Sequence, residues 1–222
     1  MSEPVAEPEP EPEGGPSRRE RRFEGLATVL LAVAALAAAW GGYQASLWDG
    51  VGSTHESEAA AFRTRAATAS GEANQLRLAD LGVVESFVNA TLTGNATLAD
   101  FYRERARPEL KPALDAWIAT HPLSNPDAPP SPLSMPQYTV AKDAEAARLT
   151  ADADKADAEN RRANHVSDHY TLATLLLAAV LFFAAISERF EVFGPRVTLL
   201  GMAGFGLVAG IVVMVAQPVT GG

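Results

Sequence analysis

The segment Leu26–Tyr43 reads LATVLLAVAALAAAWGGY, an uncharged run placed directly behind Arg18, Arg19, Arg21 and Arg22. A bilayer core about 30 Å thick needs about 20 residues of helix, and Leu47 and Trp48 extend the run to that length. Two more apolar runs, Tyr170–Ile186 and Val197–Ala216, lie close together further along. The three runs predict an all-α membrane protein with three transmembrane helices. Residues 1–24 form an acidic Glu/Pro tail that ends in the basic cluster, and residues 25–48 the first span. A polar domain fills 49–169. The second span (170–186), a short loop (187–196), the third span (197–216) and a tail (217–222) follow.

Basic residues set the expected threading. The arginines before span one place the N-terminus in the cytoplasm, so 49–169 is extracytoplasmic. The loop 187–196 then returns inside with Arg189 and Arg196. Trp40, Tyr43 and Trp48 at the exit of span one, and Tyr170 at the entry of span two, should lie at one membrane face. A competing reading takes span one as a cleavable signal, with Ala37-Ala38-Ala39 as the cleavage pattern. The long acidic segment before it and the length of the apolar run favour an uncleaved anchor.

Net charge is −9, much of it from Glu-Pro repeats in a tail expected to be disordered. That balance argues against a nucleic-acid partner. Cysteine is absent, which excludes disulfides, thiol nucleophiles and thiolate metal sites. No span carries an interior ionisable residue, the usual mark of a proton or ion path. Gly206 and Gly210 make a small-xxx-small pair in span three, read first as packing against span two and second as a contact between copies.

In the middle domain, Phe62, Ala66, Ala69, Ala73, Leu76, Asp80, Val83, Phe87 and Ala90 recur at spacings of four and three, the seam of a helix from about Glu56 to Leu92. Gly94-Asn95 ends it. A second helix is expected from Thr97, capped in the manner of Thr97…Asp100 and broken by Pro108 and Pro112 before Thr120. A six-proline loop, His121–Pro136, follows. The third helix, from about Gln137 into span two, has the seam Ala146, Leu149, Ala153, Ala156, Asn160, Ala163, Ser167 and Tyr170. Spans one and two would thus continue into an antiparallel helical hairpin, or three-helix bundle, outside the membrane. Equal height would pair positions whose numbers add to about 218. Asp80 should lie near Tyr138, and Phe62 near Ala156.

Candidate chemistry is sparse. His165 and His169 share a helix face and are a weak candidate metal pair; no third ligand is evident in the motif, His55 near the exit of the opposite helix keeps a metal or pH-sensing role open, and a polar interfacial patch accounts for them. No catalytic motif, cofactor or metal is implied. Arg103, Arg105, Arg107 and Lys111 alternate with acids and read as a solvated face. Asn89-Ala90-Thr91 and Asn95-Ala96-Thr97 match glycosylation sequons, which matter only in a eukaryotic secretory pathway. Trp40, Tyr43, Gln44 and Trp48 form an aromatic belt or a docking collar. Trp117 and Tyr138 are further interaction candidates.

Tyr43-Gln44-Ala45-Ser46…Trp48, Arg105–Trp117, Ser134-Met135-Pro136-Gln137-Tyr138 and Ser167-Asp168-His169-Tyr170 before Leu181-Phe182-Phe183 carry a resemblance across residues 25–190. The chain resembles a group of uncharacterised bacterial inner-membrane proteins with one N-terminal span, a helical extracytoplasmic domain and two C-terminal spans. The resemblance implies that location and architecture, and no catalytic residue. The expected role is non-enzymatic: protein interaction, assembly or sensing, with the lipid bilayer and a homo-oligomer or membrane-protein partner. The alternatives are a small-ligand receptor, its pocket lined by Trp117, Phe101, Tyr102 and Tyr138, and a metal-dependent enzyme using His165 and His169.

Overall fold

The computed structural model describes residues 18–190 and 193–220. The acidic tail lies outside these residues. Among the described residues there are helices and turns but no strand. The order is α1 (Arg18–Leu92), α2 (Ala96–Glu104), α3 (Lys111–Ala119), a 3-10 turn (Pro132–Ser134), α4 (Ala141–Ser187) and α5 (Phe193–Val215). Three of these helices, α1, α4 and α5, are long and apolar enough to cross a membrane.

The helix that carries the first apolar run does not end at Trp48. α1 runs unbroken through the predicted junction to Leu92, because proline is absent from its whole length and Gly50 and Gly52 only weaken a helix. α4 contains neither glycine nor proline and is continuous for the same reason. It begins at Ala141, later than expected. Tyr138 is held in a turn by its N–H on the Met135 carbonyl (3.0 Å), and Val140 is buried just before the helix starts.

The chain divides into two compact units, residues 1–52 with 161–222, and Ser53–Asn160. In the first unit, Tyr170, Ala173, Leu177, Val180 and Ala184 of α4 are buried with Ala34 of α1 and with Ala203 and Met214 of α5. Small residues set the approach. A Cβ on Gly206 would stand 2.9 Å from Val180, and one on Gly210 3.1 Å from Leu177. The Gly206–Gly210 pair therefore packs within one chain. Pro195 sits in the first turn of α5, where a missing N–H costs nothing.

In the second unit, the two predicted seams are the buried faces. Ala66, Ala69, Ala73, Asp80, Phe87 and Ala90 of α1 are buried, as are Ala146, Leu149, Ala153 and Ala156 of α4. Ion pairs follow the antiparallel register: Arg63 meets Asp157, Glu72 meets Lys142 (2.7 Å) and Arg77 meets Asp143. Phe62 packs on the Ala66, Ala69, Ala146 and Leu149 cluster.

α1 ends in a Schellman turn: Gly94 has φ +73°, and the Asn95 N–H reaches the Ala90 carbonyl (2.9 Å). The cap of α2 is Asn95, not Thr97. Its side chain accepts from the Leu98 N–H at 3.1 Å, so one residue both leaves α1 and starts α2. The prolines split the next segment into two short helices, as expected. Leu110, Leu114 and Trp117 are buried there with Val84, Phe87 and Ala90.

Candidate functional site

The most unusual group in the second unit is Asp80. It occupies a seam position of α1 and is 1% exposed. A buried carboxylate needs partners, and it has two. Tyr138 donates its hydroxyl to Oδ2 at 2.9 Å. Arg107 places Nε 3.0 Å from Oδ1, off the hydrogen-bond axis, so the contact is one of charge. Nε and Nη2 of Arg107 are buried without a hydrogen-bond acceptor, and Glu109 stands 3.5 Å from Nη2. The cluster ties α1, the α2–α3 connection and the segment before α4 together.

Burial, followed by the hydrogen bond to Asp80, pushes the Tyr138 phenol up to about 12. The folded state holds this proton more tightly than the unfolded chain does. The Tyr138 contribution is therefore intact below about pH 10 and is lost as pH rises through about 12. The phenolate absorbance that disappears in Tyr138→Phe should accordingly titrate near pH 12, well above an ordinary tyrosine.

The other expected residues scatter. Trp117 is buried and donates Nε1–H to the Pro129 carbonyl at 2.6 Å, anchoring the proline loop. Phe101 is half exposed, edge-on to Tyr102. In the first unit, the collar divides. Trp40 and Tyr43 face outward. Gln44 is fully buried; its amide donates to the Thr220 carbonyl (3.3 Å) and accepts from the Thr220 N–H (3.2 Å). Trp48 (3.0 Å) and Tyr170 (3.2 Å) both donate to the Pro218 carbonyl. Two of the four aromatic residues expected at one membrane face, Trp48 and Tyr170, thus converge on one backbone oxygen.

His169 Nδ1 is taken up by the His165 carbonyl (2.6 Å), and His55 pairs with Glu58 (3.1 Å). Among the described residues, no three His, Cys, Asp or Glu side chains form a group able to hold a metal.

Sequence reasoning found Asp80 and Tyr138 but missed Arg107, which turns inward from the cluster read as solvated. The available signal was the carboxylate in an otherwise apolar seam, which demands a cation. No protein-family model matches the chain, and no curated protein or solved structure is significantly similar to it.

Proposed function

We propose that this chain is a non-enzymatic protein of the bacterial inner membrane that works by assembly, α1 pairing with α1 of a second copy in the bilayer plane. In this reading the unit Ser53–Asn160 lies outside the cytoplasm. Arg21, Arg22, Arg189 and Arg196 mark the inner face.

The observation that carries the reading is the way α1 divides its surface. Only 11% of its most apolar window is buried within the chain, against 33% for α4 and 22% for α5. One face, with Ala27, Ala34 and Gly41, turns into the chain. A second presents Val29, Val33, Leu36, Trp40 and Tyr43, bulky groups suited to lipid. The third consists of Thr28, Ala32, Ala35, Ala39, Gly42 and Ser46, all exposed and all small, at spacings of four and three. Lipid gives no reason to segregate small from large residues; close helix approach does.

In the second unit α1 presents a row of its own, Ser53, Ser57, Ala60, Thr64, Ala67 and Gly71, exposed, without a charge and at spacings of four and three. A water-facing helix surface is ordinarily charged. Thr28, Ser57 and Thr64 donate their hydroxyls to their own helix carbonyls at 2.8–2.9 Å, leaving mainly apolar atoms outward. A face that matches itself suits a two-fold dimer.

The chain has no cysteine, so single cysteines report cleanly. Under oxidation in membranes, Ala35→Cys or Ala39→Cys should give disulfide-linked dimers, and Val33→Cys or Leu36→Cys should not. Equal yields at all four positions, or none at the small face, would sink the assembly reading.

A further inference from the structure

A cavity of about 200 Å³ lies in the second unit, where the end of α1, α3 and the start of the proline loop meet. We propose that it binds a small amphipathic carboxylate, one ring or short branched chain bearing an acid group. The proposal is independent of the assembly reading above.

The cavity's wall is apolar, formed by Phe87 and Val88 of α1 and Trp117 and Ile118 of α3. Trp117 has its indole N–H engaged by the Pro129 carbonyl, so its side chain offers the cavity ring surface alone. An apolar cavity of about 150 Å³ holds one benzene ring. The space here therefore suits a ring with a short tail, below the range of drug-sized pockets.

The acid group is assigned by the rim. His121, Ser124 and Thr91 are the polar side chains on its lining, and of these His121 is the ionisable one. Among the described residues, neither ring nitrogen of His121 has a hydrogen-bond or ion-pair partner. The Ser124 hydroxyl lies 3.3 Å from the His121 carbonyl. Protonated, the imidazole would be an uncompensated cation at the mouth of an apolar space, and a carboxylate is its natural complement.

The backbone supplies a second argument. His121 has φ +53°, directly after the C-cap Thr120 of α3. That left-handed position is normally glycine. The turn is closed by main-chain bonds, His121 N–H to the Ile118 carbonyl (3.0 Å) and Asn125 N–H to the His121 carbonyl (2.9 Å). None of them requires an imidazole. A side chain at a left-handed position is strained, so glycine would make the same turn at lower cost. What histidine adds is its ring at the cavity rim.

The test uses the full chain in lipid nanodiscs. 3-Phenylpropionate and its neutral amide are titrated and followed by ligand-detected NMR at about pH 5.5. Both probes should bind saturably, the acid about tenfold more tightly than the amide. His121→Gly should fold at least as stably as the parent, retain binding of the amide and lose the acid preference. Val88→Trp, which fills the cavity, should lose both probes. Absence of saturable binding to the parent chain, or an acid-to-amide ratio unchanged in His121→Gly, would overturn the proposal.

Discussion

Replacing Arg107 with leucine should destabilise the unit Ser53–Asn160 by about 3 kcal/mol, and Asp80→Ala by about 2 kcal/mol. The order follows from burial. Asp80 is 1% exposed, while the Arg107 side chain is 27% exposed. Removing Arg107 strands a carboxylate with almost no access to water. Removing Asp80 strands a guanidinium that still reaches solvent in part. Tyr138→Phe removes one hydrogen bond to the same carboxylate and should cost about 1 kcal/mol.

The double variant Asp80→Leu/Arg107→Leu separates stability from specificity. Two leucines bring apolar volume to a site closed off from water, Asp80 being 1% exposed. Buried ion pairs replaced by apolar pairs are often neutral or better, so the double variant should unfold within about 1 kcal/mol of the parent. Thermal unfolding of the full chain, followed by circular dichroism, measures all four. If the two single variants unfold with the parent, the cluster is not a structural tie.

Much of this was legible because seams depend only on spacing. Alanine and phenylalanine at alternate steps of three and four fix which side of a helix is buried, and equal rise fixes the register that brings Tyr138 to Asp80. Arg107 was not legible. Whether a guanidinium beside Pro108 turns in or out depends on the angle at which α2 and α3 meet, which is set by packing around Leu110 and Leu114 and not by local pattern. Of the residues expected at a pocket, Trp117 lines this cavity, and Phe101, Tyr102 and Tyr138 do not. The grip of Gln44 and Trp48 on Thr220 and Pro218 joins positions about 170 residues apart, and no periodicity relates them.

Gly41 and Gly42 are neighbours with opposite expected roles. A Cβ on Gly41 would stand 2.8 Å from both Met214 Cε and Thr174 Oγ1. Met214 can yield, since the contact is the far end of a flexible side chain. Thr174 is held by its hydroxyl bond to the Tyr170 carbonyl, 2.9 Å, and cannot rotate without losing it. Gly41→Leu should therefore force α1 away from α4 and α5 and cost about 3 kcal/mol or more. In lipid no hydrophobic gain offsets the lost contact. The displaced helix should also release the Gln44–Thr220 clamp, exposing the 217–220 segment to protease. A Cβ on Gly42 meets nothing within 4 Å, so Gly42→Leu should leave the fold of the single chain unchanged. It would, however, put a bulky group in the centre of the small face and hold two copies apart. Loss of disulfide trapping through Ala39→Cys in that variant, with a parent-like thermal transition, would separate assembly from folding. Parent-like trapping would mean that this face does not carry the contact.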